Sequence, residues 1–152
     1  MTLEFKTSED ILKFAIEREQ ESVELYSKLS ETARNSEMKN VFLMFSNEER
    51  AHKKRLENIR TSGQFKFTPK QISNLKIADY LIDIEPHEGM RYQEVLIIAM
   101  KKEKKSFLLY SDLAEKVSDQ LLRSLFLSLA QEESKHKLRF ELEYDEVVLK
   151  EN

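Results

Sequence analysis

Apolar residues recur every three or four positions through four long stretches of this 152-residue chain. In the first, Ile11, Leu12, Ala15, Ile16, Val23, Tyr26 and Leu29 fall on one stripe, the spacing of an amphipathic helix. Ser8 reads as its N-cap, with Glu9 and Asp10 in the first turn, where the helix dipole favours anions. The second stretch carries Met38, Val41, Phe42, Phe45, Leu56 and Ile59. The third carries Val95, Leu96, Ala99, Met100, Phe107, Tyr110 and Leu113, and the fourth Leu122, Leu125, Phe126, Leu129 and Phe140. The breaks at Arg34-Asn35-Ser36 and near Val117-Ser118-Asp119 are short, so each pair of helices is antiparallel. Both Pro and both Gly lie between residues 61 and 90. That segment cannot stay helical throughout, although Gln71 to Leu81 suits a short helix. The pattern predicts an all-α domain over residues 1–152, with hairpins at about 8–60 and 91–148 and a connection at about 61–90.

The two hairpins are copies of one unit. Residues 15–60 laid over residues 99–144, a shift of 84, give 16 identities in 46 positions without a gap. Among them Glu19 meets Glu103, Ser22 meets Ser106, Tyr26 meets Tyr110, Glu48-Glu49 meets Glu132-Glu133, and His52 meets His136. Two hairpins with one long crossover connection make a ferritin-like four-helix bundle rather than a simple up-down-up-down one.

Composition narrows the chemistry. The chain has no cysteine, which removes disulfides, thiolate metal sites, iron–sulfur clusters and a catalytic thiol. A net charge of −3 gives no basic footprint for nucleic acid. No stretch has the length and apolarity of a membrane span, and no signal peptide is visible, so a soluble cytoplasmic protein is expected.

Four carboxylates break the apolar pattern. Glu19 lies three residues after Ile16 and four before Val23, and Glu103 repeats it after Met100 and before Phe107. Glu49 follows Phe42 and Phe45 and has His52 at i+3; Glu133 follows Phe126 and Leu129 and has His136 at i+3. A single Glu-x-x-His is common on solvated helix faces. This one recurs, both copies lie on the apolar face, and each has a partner glutamate 30 residues upstream. Buried carboxylates need compensating charge, and no Lys or Arg repeats at an inward position. Two divalent cations balance four carboxylates, and one Glu from each of two helices plus Glu-x-x-His from each of the others is a carboxylate di-metal set. Oxygen-rich ligation with one imidazole per metal suits iron or manganese better than structural zinc. Glu48 and Glu132 are placed about 100° around the helix, at the rim of the site or in solvent. Tyr26 and Tyr110, two turns from Glu19 and Glu103, are core aromatics or donors to a ligating carboxylate. His87 is read as a surface histidine, and the lysines at 101, 102, 104 and 105 as a solvated face.

At these residues the chain resembles the rubrerythrin family of the ferritin-like superfamily, over about residues 8–148. The segments that carry it are Ala15 to Glu19, Leu25-Tyr26, Glu48 to His52, Ala99 to Glu103, Leu109-Tyr110 and Glu132 to His136. The resemblance implies two iron ions, with manganese or mixed loading as variants. Glu19 and Glu103 would be terminal ligands, Glu49 and Glu133 bridging ones, and His52 and His136 would take one metal each. It implies reduction of hydrogen peroxide or dioxygen and a homodimer. Full-length rubrerythrins carry a rubredoxin-like domain with four cysteines; without cysteine, this chain needs a separate electron donor such as a rubredoxin. They also bring an extra glutamate from the third helix. Ala99, Met100, Ser106 and Phe107 flank Glu103 here, which moves the expectation toward a six-ligand, ferroxidase-like site. A non-catalytic iron-binding or iron-delivery protein is the alternative, and a metal-free helical interaction module is the third reading.

Overall fold

The computed structural model describes residues 4–151, and they form a ferritin-like four-helix bundle. Its long helices are α1 (Ser8–Glu31), α2 (Ser36–Ser62), α4 (Tyr92–Lys116) and α5 (Gln120–Glu151); α3 (Pro69–Ser73) and a 3₁₀ turn (Ile77–Tyr80) lie in the connection. The N-cap of α1 is Thr7 rather than Ser8. Its hydroxyl accepts from the Asp10 amide while the Asp10 carboxylate accepts from the Thr7 amide, so two orphan donors are satisfied at once. Ser8 instead accepts from the Phe67 amide at 2.8 Å and ties the connection to α1. Asn35 caps α2, which ends at Gly63 with φ of 70°, a left-handed conformation that a side chain would strain. Pro69 opens α3 behind a Thr68–Gln71 capping box, where its missing N–H is no loss.

The core has two apolar halves. One joins Ile11 and Leu12 of α1, Leu56 and Ile59 of α2, Leu113 of α4 and Phe126 of α5, and it is closed by Ile72, Leu75 and Tyr80 of the connection. The other joins Leu25 and Leu29 of α1, Met38 and Phe42 of α2, Leu96 and Ala99 of α4 and Phe140 of α5. Thus α1 and α5 start at one end of the bundle, while α2 and α4 start at the other. The connection has to run the full length between them, which is the reason for its 29 residues, 63–91. The short 3₁₀ turn anchors it midway, with the Tyr80 hydroxyl donating to Asp112 at 2.5 Å.

Phe107 departs from the predicted stripe. It is 38% exposed, whereas its repeat mate Val23 is buried. Both stand about 40° around their helix from the inward glutamate, at the edge of the buried arc. There the smaller side chain fits and the phenyl ring is pushed outward.

Candidate metal centre

Between the two apolar halves lies a layer of six buried polar side chains, all contributed from mid-helix. Glu19, Glu49, His52, Glu103, Glu133 and His136 are each 2% exposed or less. They form two overlapping groups whose ligand-type atoms all lie within 4.8 Å of one another: Glu19, Glu49, His52 and Glu133, and Glu49, Glu103, Glu133 and His136. Glu49 and Glu133 belong to both groups, which puts them between two positions while Glu19 and Glu103 stand at the outer ends. All six residues singled out from sequence are therefore brought together.

Hydrogen bonds to this layer cross from one hairpin to the other. Tyr26 of α1 donates to Glu103 Oε1 of α4, and Tyr110 of α4 donates to Glu19 Oε1 of α1. His52 Nε2 of α2 lies 3.1 Å from Glu132 of α5, and His136 Nε2 of α5 lies 2.5 Å from Glu48 of α2. Adding 84 to one member of each pair, and subtracting it from the other, generates its mate. The repeat in sequence is thus a local two-fold axis in space, and the six-residue layer sits on it. Glu48 and Glu132, with side chains 40% and 33% exposed, do stand at the rim. Sequence placed them there without a partner, and the crossing contact was beyond its reach. The only signal was that both recur immediately before an inward glutamate.

These crossing bonds decide which atoms remain for a ligand. A carboxylate can only accept, so each imidazole donates through Nε2 and turns Nδ1 inward. Each tyrosine occupies Oε1 of its glutamate and leaves Oε2. What remains is Oε2 of Glu19 and Glu103, both oxygens of Glu49 and Glu133, and Nδ1 of both histidines: eight buried atoms, none with a hydrogen-bond partner among the described residues. The Nδ1 atoms approach carboxylates at 3.1 Å (His52 to Glu133, His136 to Glu49) without hydrogen-bond alignment. No lysine or arginine ion pair reaches any of the six among the described residues. Glu143 shows the contrast. Equally buried, it takes two bonds from Arg34, at 3.1 and 2.8 Å, and one from the Tyr92 hydroxyl at 2.8 Å. A buried glutamate served by its own chain looks like that; the six do not.

The electrostatics record the same strain. Burial, then the charges of Glu19 and Glu103, push the Glu49 carboxyl well above its ordinary value. Burial, then Glu103, Glu49 and Glu19, do the same to Glu133. Burial alone would lower His136, but Glu103, Glu133 and Glu48 outweigh it and raise it to about 9. His52 is likewise raised by Glu133, Glu19 and Glu49 against burial. With protein atoms alone, the layer holds protons where its geometry offers oxygen and nitrogen lone pairs. A donor set of eight inward atoms, with four carboxylates and no lysine or arginine paired to them among the described residues, fits a pair of divalent ions.

A family model for rubrerythrin matches residues 10–144. The chain belongs to the rubrerythrin family. A crystal structure from Thermotoga maritima, described as a ferritin-like diiron-carboxylate protein, has the same fold. Its TM-score is 0.75 at 25% identity, over 97% of this chain and 99% of that one. No curated protein sequence matches. Family, fold and buried donor set agree on a centre suited to binding iron. No helix among the described residues is long and apolar enough to cross a membrane.

Proposed function

We propose that this rubrerythrin-family protein is a di-iron oxidoreductase that reduces hydrogen peroxide or dioxygen with electrons from an external donor. The observation that carries the reading is the set of eight buried, unpartnered ligand atoms. Glu19, Glu49, His52 and Glu133 would hold one ion and Glu103, His136, Glu49 and Glu133 the other, with Glu49 and Glu133 shared. Bound ferrous ions would each supply one electron, and two electrons with two protons convert hydrogen peroxide to two waters.

The chain's own groups set the conditions for that exchange. Tyr26 and Tyr110 fix the terminal carboxylates, so that Oε2 of each faces inward. Glu132 and Glu48 hold the imidazoles with Nδ1 inward, and a carboxylate behind a ligating imidazole raises its basicity. The apolar halves above and below keep bulk water from the layer, which strengthens every charge interaction in it. Phe45 stacks on the His136 ring at a centroid distance of 4.0 Å and restricts its tilt. These residues include no cysteine, so no thiolate-held iron within this bundle feeds the layer, and the electrons reach it from a donor outside the bundle, a rubredoxin-like unit or a soluble reductant.

One observation favours iron binding or delivery without turnover. The cluster contains no seventh ligand residue, and so no fifth carboxylate, among the described residues, and the flank of Glu103 is Ala99, Met100, Ser106 and Phe107. Anaerobic reconstitution with ferrous iron separates the readings. The oxidoreductase binds two irons per chain, is oxidised by peroxide in stopped flow, and consumes peroxide repeatedly when a donor is supplied. Iron binding with a single oxidation and no sustained consumption by any donor assigns the protein to iron handling. Failure to bind metal refutes both.

A further inference from the structure

A cavity of about 350 Å³ lies between α1 and α4, away from the two helices that carry the histidines. Phe14 and Leu25 of α1 and Leu109 of α4 give it apolar walls, and the connection lays Tyr80, Leu81 and Ile82 across the gap. The bond from the Tyr80 hydroxyl to Asp112 fixes that strap to α4. Ser22 and Ser106 also line the space, one turn along from Glu19 and Glu103. A molecule held here therefore lies beside the glutamate end of the metal layer.

The charges around the cavity do not balance. Arg18, Lys102 and Lys105 all line it. The side chains of Arg18 and Lys102 are only 24 and 13% exposed, and Lys105 is half-buried, so the last two are not on the solvated face that sequence suggested. From within the cavity a single carboxylate answers them. Glu21 accepts from Arg18 Nε at 3.0 Å and from Lys102 Nζ at 3.0 Å, while Lys105 has no ion-pair partner among the described residues. Glu17 touches Arg18 at 3.8 Å but does not line the space. Glu24, Lys28 and Glu85, on its margin, are exposed and screened by water.

The repeat shows where the excess arises. Arg18 and Lys102 are mates at the shift of 84, as are Ser22 and Ser106, and Leu25 and Leu109, so the cavity straddles the local two-fold. At one pair the symmetry fails: the mate of Glu21 is Lys105. A glutamate there would set two carboxylates against two cations; the lysine leaves three cations to one carboxylate. Cations withdrawn from water without a counter-charge are costly, and here they stand around space that an anion can enter. An inorganic oxyanion would fill a small part of that space and leave the apolar walls facing water. The volume and the mixed lining suit a small organic molecule.

We propose that this cavity binds an organic acid, with an apolar body against Phe14, Leu81, Ile82 and Leu109 and one anionic head group among Arg18, Lys102 and Lys105. The site is separate from the metal ligands, and its existence does not depend on which reaction the centre performs.

Isothermal titration calorimetry with 8-anilinonaphthalene-1-sulfonate, an aromatic body with one sulfonate, tests it on the full chain with and without bound metal. Circular dichroism controls for folding. Wild type is expected to bind one probe per chain, saturably, and uncharged 1-anilinonaphthalene to bind at least about tenfold more weakly. Lys105→Glu, which restores the two-to-two balance, should weaken the sulfonate about tenfold or more while leaving the uncharged analogue within about twofold. Leu81→Asp should weaken both probes. Leu138→Lys with Leu142→Lys, at leucines 56 and 51% exposed on the far side of α5, should change neither. Absence of saturable binding overturns the proposal, as does equal affinity for the two probes. Binding that ignores Lys105→Glu, or that is lost with the α5 leucines, overturns it as well.

Discussion

If the six-residue layer is built for cations, removing its shared carboxylates should make the metal-free protein more stable and the metal-loaded protein less so. The perturbation is Glu49→Leu with Glu133→Leu, side chains of comparable volume at two positions that are 0% exposed. All four of their oxygens lack hydrogen-bond partners. Replacing such buried ionic groups by apolar ones is neutral to stabilising, by about 1–4 kcal/mol. For a domain of this size that is a rise of about 2–4 °C in Tm per kcal/mol. The gain is limited because His52 and His136 lose the carboxylates nearest their Nδ1 atoms, at 3.1 Å, although Glu19 at 3.7 Å and Glu103 at 3.5 Å remain on that side and Glu132 and Glu48 on the Nε2 side. Metal works in the other direction. Ferrous ion at about a thousand times its dissociation constant stabilises wild type by about 4 kcal/mol per site, and the variant, without bridging ligands, gains little. The stability order should therefore invert between chelator and anaerobic ferrous iron.

The pH dependence has a fixed sign. Glu49 and Glu133 bind their protons more tightly folded than unfolded, so their contribution falls as pH rises above the ordinary carboxyl value of 4.5. The contribution of His136 is complete below 6.5 and is lost as pH rises through about 9. Metal-free wild type thus loses stability through the neutral and alkaline range, and its deficit against the double variant widens. Denaturant unfolding followed by circular dichroism, with and without metal, at several pH values makes the comparison. A wild type that is more stable than the variant without metal, and unmoved by metal, would refute the reasoning.

Tyr26→Phe or Tyr110→Phe frees Oε1 of Glu103 or Glu19; competition titration should show metal affinity lowered by about ten- to a hundredfold, with similar losses from the two because they are related by the local two-fold. Glu48→Gln and Glu132→Gln, behind His136 and His52, should lower affinity by a comparable factor in the same titration while leaving the metal-free fold intact. Arg34→Met strands the buried carboxylate of Glu143 with Tyr92 alone, and should lower the denaturant midpoint of unfolding with no change in metal stoichiometry.

Much of this protein was legible in one dimension because its information is periodic. Helix faces follow from three-to-four spacing, and the duplication at a shift of 84 doubles every weak signal, so Glu19, Glu49, His52, Glu103, Glu133 and His136 stood out as charges on apolar stripes. The length of the connection and its Pro and Gly positions implied the crossover topology. Contacts between hairpins are a different matter, since no local pattern encodes which helix faces which. That Tyr26 serves Glu103 and not Glu19, that Glu132 holds His52, and that Arg34 answers Glu143 across 109 residues were decided by packing alone. Phe107 and the cap of α1 show the same limit on a smaller scale: periodicity gives an angle around the helix, but only the neighbouring surface sets whether a ring fits there. Sequence determined which groups are charged and which way they point; tertiary structure decided who answers them, because hydrogen-bond satisfaction is a property of the assembled interior.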